Sequence, residues 1–159
     1  MGMDVYGLKP TAPKGEYFRN NVWWWRPLAE YIGFAAPDLH EKVGDDGGGW
    51  EVNDGEGLNA EDSLTLAKKL RSDLKSGKTK EYEQGYQRLL DELPQEECGI
   101  CAGTGKREVP PTIGAGTHPC KACDTTGQQD NWRTNYPFAA ANVEEFTEFL
   151  ENCGGFKIN

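Results

Sequence analysis

The sequence predicts an α+β fold, a small sheet with three or more helices and an inserted zinc knuckle. Three observations carry that prediction. Strand-like runs stand at both ends, in Met3, Val5 and Tyr6 and in Phe156, Lys157 and Ile158. Amphipathic helical patterns fill the middle and the approach to the C-terminus. Four of the five cysteines fall into two C-x2-C pairs between Cys98 and Cys123. Strands at the ends with helices between them make one mixed domain over 1–159. The knuckle, 96–128, is an excursion between its second and third main helices.

The first strand is ended by Gly7 and Pro10. A second is expected over Tyr17 to Arg26, bearing Phe18, Val22, Trp23, Trp24 and Trp25. Side chains alternate along a strand, so both of its faces would be apolar and covered. Pro27 then stands where a helix would begin, through Leu28, Tyr31 and Ile32, and Arg26 is placed to stack on a tryptophan. With so few aliphatic residues the large aromatics must form the core, and Trp24 is expected there with Phe146 and Leu150. Residues 36–58 read as a glycine-rich loop. Asp45, Asp46, Asp54 and Glu56 lie within it, but the EF-hand spacing is absent, so the loop reads as solvated and not as a calcium site.

Asn59 offers a helix N-cap with Asp62 three positions on. Leu64, Ala67, Leu70 and Leu74 form the expected apolar stripe, and Gly77 the stop. A second helix is expected from Lys80 to Leu93, burying Tyr82, Tyr86, Leu89, Leu90 and Leu93 and forming an antiparallel hairpin with the first. Asn142 with Glu145 suggests a capping box for the last helix, whose apolar side is Val143, Phe146, Phe149, Leu150 and Cys153. Cys153 lacks a histidine partner and reads as a small buried hydrophobe.

The cysteine pairs carry the one chemical signal. Cys98 and Cys101 precede Cys120 and Cys123 by a spacer of eighteen residues, within the range of a zinc site built from two such pairs. Four thiolates suit one tetrahedral Zn2+, although iron also accepts them. A full thiolate shell leaves no open position, so the ion would be structural. His118, two residues before Cys120, could replace one thiolate as ligand, but its leading reading is an exposed or locally hydrogen-bonded loop residue. Disulfides are the competing reading, and no secretory signal precedes the chain to favour them.

Cys98, Cys101, Gly103 and Gly105 spell C-x-x-C-x-G-x-G. The stretch 98–127 thereby resembles the cysteine-rich repeats of DnaJ-type co-chaperones, which bind zinc. The second pair departs from that pattern, with Thr125 in place of the first glycine. The chain has two such repeats and no HPD tripeptide, so the resemblance implies zinc binding and not chaperone activity. The opening, Met1 to Gly7, Lys14 to Arg19 and Asn21 to Leu28, together with the closing Gly154 to Ile158, resembles a family of small uncharacterised bacterial and bacteriophage proteins. That resemblance implies no activity, and would place a phage-encoded chain in the host cytoplasm.

Composition narrows the function. The chain has 159 residues, 20 glycines and 9 prolines, and a net charge of −9. That charge argues against a general nucleic-acid surface. It is also uneven: Asp38 to Asp62 holds nine acidic residues against Lys42, and Ser63 to Lys80 holds six basic residues against Asp73. No apolar run approaches the roughly 18 residues of a membrane span, so a soluble, cytoplasmic protein with no membrane partner is expected. No phosphate loop, H-E-x-x-H, nucleophile elbow or deaminase signature occurs, and an enzyme is not expected. The leading expectation is an acidic, zinc-stabilised module that binds a protein partner. The alternative is a nucleic-acid-associated zinc ribbon using Lys106, Arg107 and Lys121. Oligomeric state is left open.

Overall fold

A computed structural model describes residues 2–44 and 49–159, and the α+β class is as the sequence predicts. Asp45 and Asp46 lie outside the described residues. The chain forms two compact units, one from the residues up to Gln87 together with Tyr136–Asn159, the other from Arg88–Asn135.

In the first unit, β1 (Gly2–Gly7) is the central strand of an antiparallel sheet. It pairs with β2 (Tyr17–Asn21) through Val5 and Phe18, and with a C-terminal strand, Phe156–Ile158, through Val5 and Ile158. The alternation of β1 buries Met3 and Val5 and leaves Tyr6 outward. The far edge of the C-terminal strand is covered by the loop at 55–58. There Gly55 N–H donates to Ile158 O at 2.8 Å, and Phe156 N–H to Leu58 O at 2.9 Å.

The expected second strand is too long. It stops at Asn21, and α1 runs Val22–Ala35. Asn21 Oδ1 accepts the Trp24 N–H at 3.2 Å, a side-chain cap that starts the helix five residues before Pro27. Pro27 therefore sits inside the helix, in its second turn, without the N–H that an interior residue would donate. Helical phase then separates the tryptophans by about 100° each. Trp25 shares the inward face with Leu28, Ala29 and Ile32, whereas Trp24 is half-buried and Trp23 is 44% exposed. The core tryptophan is Trp25, not Trp24. Its indole N–H donates to Trp50 O, and its ring packs edge-on against Phe146 at 5.8 Å. Phe146 and Leu150 are buried as expected. Arg26 stacks over Tyr136 at 5.7 Å, not over a tryptophan.

The one-turn helix α2 (Pro37–His40) follows α1, and α3 spans Ala60–Ser76. Asn59 caps α3 by accepting the Asp62 N–H at 2.9 Å, and Gly77 ends it at φ +83°. The stripe is turned from its expected phase. Ser63, Leu66, Ala67, Leu70 and Asp73 are buried, and Leu64 is 45% exposed. Ser63 is buried at 0% exposure with its hydroxyl donating to Leu58 O at 3.5 Å, so a polar residue shares the inward face, which lies one residue earlier than the apolar pattern alone implies.

Helix α4 (Lys78–Asp91) starts one residue beyond Gly77. A single residue cannot lay two helices side by side, so the expected hairpin is not formed, and α3 packs chiefly on α5 (Ala140–Asn152). Tyr82 and Tyr86 of α4 instead meet Phe138, and Tyr82 also meets Tyr31 of α1. Leu89, expected to be buried, is 67% exposed.

Helix α5 begins at Ala140, so Asn142 is not its cap. Glu83 of α4 supplies the missing acceptor, taking the Ala140 N–H at 3.0 Å. Asn142 turns away instead, its Oδ1 accepting from Asn20 Nδ2 at 2.8 Å. The apolar side of α5, including Cys153, is buried as its pattern predicts. Its thiol is held above its ordinary range by that burial.

Candidate metal centre

The cysteine-bearing part of the second unit is built from four two-residue strands and two loops. Strands β3 (Glu96–Glu97) and β4 (Lys106–Arg107) flank the first cysteine pair. Strands β5 (His118–Pro119) and β6 (Gln128–Gln129) flank the second. Pairing is crossed: β3 with β6, and β4 with β5, both antiparallel. The final strand of the chain, Phe156–Ile158, is β7.

The two loops repeat one another in the bonds that enclose the sulfurs. Gly105 N–H donates to Cys101 Sγ at 3.3 Å, and Gly127 N–H to Cys123 Sγ at 3.3 Å. Thr104 donates to Cys101 O at 2.8 Å and accepts from Lys106 N at 3.2 Å. Thr126 does the same with Cys123 O at 2.6 Å and Gln128 N at 3.2 Å. Across the pair, Cys98 N–H donates to Gly127 O at 2.9 Å and Cys120 N–H to Gly105 O at 3.0 Å. The result is a pseudo-twofold arrangement in which each loop closes the other.

The glycines of C-x-x-C-x-G-x-G have different duties. A Cβ on Gly105 would lie 2.1 Å from Thr125 O, and one on Gly127 would lie 2.0 Å from Gly103 O. These second glycines have no room for a side chain. The first position needs only a left-handed backbone, φ +73° at Gly103 and +65° at Thr125. A Cβ on Gly103 would come nearest to the flexible Glu97 side chain, 2.6 Å away, and not to backbone, so a residue such as Thr125 can stand at the matched position, at a conformational cost that glycine avoids.

All four sulfurs converge. Cys98 Sγ lies 4.0 Å from Cys120 Sγ, and Cys101 Sγ 3.8 Å from Cys123 Sγ. The four ligand atoms lie within 4.8 Å of one another, and all four residues are buried. A tetrahedron with metal–sulfur bonds of about 2.3 Å has edges of about 3.8 Å, so the set fits one tetrahedral ion. This cluster could hold one metal ion.

The four thiols do not share one electrostatic environment. Burial opposes ionisation of Cys98, but the N–H groups of Ile100 and Cys101 and the neighbouring thiols draw it down to about 7. Burial pushes Cys120 up to about 11, and the other three sulfurs add to that. A first thiolate is favoured here and a further one is resisted, which is the situation a bound dication resolves.

His118 is exposed on β5 opposite Arg107 and takes no part in the cluster. Thr104 and Thr126, which lock the loops, were not singled out from the sequence. Their signal was present, a threonine three residues after the second cysteine of each pair. The acidic stretch forms no comparable centre among the described residues. Within it Asp62 pairs with Lys42 at 2.6 Å. The basic residues of α3 turn elsewhere, Lys69 to Asp73 at 2.5 Å and Arg71 to Glu151 at 2.9 Å. No helix is long and apolar enough to cross a membrane among the described residues. No protein family, curated protein or solved structure matches the chain.

Proposed function

We propose that this chain is a zinc-stabilised interaction module that binds a protein partner, with one structural Zn2+ held by Cys98, Cys101, Cys120 and Cys123. The observation that carries this reading is the closed set of four buried sulfurs. Four thiolates fill a tetrahedral shell and leave no position for water or substrate, so zinc here stabilises a fold and performs no chemistry. Soft sulfur donors select zinc over magnesium or calcium.

Function then belongs to the surface that the metal holds in shape. The carboxylates of Asp38, Glu41, Glu51, Asp54, Glu56 and Glu61 are exposed and form no ion pair among the described residues. That supports a cationic partner and an association rate that falls with added salt. A second reading, contact with nucleic acid, is favoured by Lys106, His118 and Lys121, all exposed around the second unit. Affinity capture with zinc-loaded protein, set beside the Cys98→Ser variant, tests the two. One stoichiometric protein, lost with Cys98→Ser, supports the module. Nuclease-sensitive material in its place supports the second reading.

A further inference from the structure

The two halves of the metal centre match in hydrogen bonding but not in how firmly they are held. We propose that the second loop, 120–127, is the half that opens, and that Cys123 is the sulfur first reached by a soft electrophile. This rests on the four-sulfur metal reading above.

Three differences point the same way. The first is backbone conformation. At the matched position Gly103 takes φ +73° without cost, whereas Thr125 takes φ +65° with a β-branched side chain. Such residues are strained in the left-handed region, and opening the loop releases the strain. Ala102 and Asp124, at φ +50° and +47°, are matched and cancel.

The second difference is cover. Ile100, between the first two cysteines, packs on the sulfur cluster. Its counterpart is Ala122, a methyl group on an exposed residue. Cys98, Cys101 and Cys120 are 0% exposed and Cys123 is 7% exposed. The third is anchoring. Ile100 O accepts the Gly114 N–H at 3.0 Å, which ties the first loop to the long connection between β4 and β5. No such tie holds Ala122 O among the described residues.

The attack itself is simple. When the loop opens, the Cys123 sulfur forms a bond to the electrophilic carbon and the leaving group departs with its electron pair. No oxidant or reductant is needed. With iodoacetamide an S–C bond forms, the C–I bond breaks and iodide leaves. The remaining sulfurs no longer make a closed shell, so metal release follows alkylation.

The test uses the full chain with its metal content measured beforehand. A brief pulse of sub-stoichiometric iodoacetamide, mapped by peptide mass spectrometry, should label Cys123 first. Thr125→Gly should slow that labelling, and release of metal to a chelating dye, by about tenfold. Ala122→Ile should slow labelling by restoring the missing cover. First labelling at Cys98, Cys101 or Cys120 would overturn the proposal. So would equal labelling of all four cysteines at a rate that neither variant changes. A chain that binds no metal would fail at the prior measurement, which separates the failure of the metal reading from the failure of this one.

Discussion

Trp25 illustrates how much a single residue's phase decides. Three tryptophans adjoin in sequence, yet one carries the core contacts, with Phe18, Trp50 and Phe146 rings all within 6.5 Å of it. Trp25→Ala should cost roughly 3–5 kcal/mol, because it leaves a large cavity and unpairs the Trp50 carbonyl. Trp23→Ala, on the exposed side, should cost well under half of that; chemical denaturation of the two variants checks the contrast. Glu83 is the other decisive residue. Burial opposes its charge, but Lys80 and the Ala140 N–H outweigh burial and hold its carboxyl below the usual range. Glu83→Ala should cost about 1 kcal/mol, the worth of a helix cap. A lowered carboxylate pKa gives stability that is present above the unfolded value and lost as pH falls through the folded one. The difference in melting temperature between wild type and Glu83→Ala should therefore close on acidification below about pH 4.

Elements whose signals are local were legible, and those set by distant partners were not. The cap at Asn59, the stop at Gly77 and the inward face of α5 each depend on neighbours within a few residues, and all stand where the sequence places them. The start of α1 was missed because three aromatics read equally well as a two-sided strand or as helix, and the Asn21 cap was the signal that separates them. The start of α5 could not be read at all, since its capping acceptor is Glu83, 57 residues away. The cysteine loops were legible in their ligands and less so in their glycines. Gly105 and Gly127 lie against each other's loop, and only the structure distinguishes them from the more permissive position at Thr125. Gly105→Ala and Gly127→Ala should each weaken metal binding by an order of magnitude or more, as a Cβ at about 2 Å from a carbonyl forces the loops apart. Competition titration against a chelator of known affinity checks this.

At the scale of the whole molecule, the fold class and the four cysteines were readable, while the division of the chain was less so. The contacts gather the excursion into a unit of its own, Arg88–Asn135, wider than the knuckle at 96–128 and starting within α4. The boundary follows where apolar packing ends. Tyr86 is the last residue of α4 packed on the main core, and Leu89 is exposed. Apart from the partly buried Ile100, the second unit has no buried apolar cluster other than its four cysteines among the described residues, and in the proposed function metal coordination takes the place of a core. X-ray absorption at the zinc edge of the purified protein tests that claim most directly. One zinc per chain with four sulfur scatterers at about 2.3 Å is the predicted result. A chain without zinc, or zinc bound through nitrogen or oxygen, would contradict it.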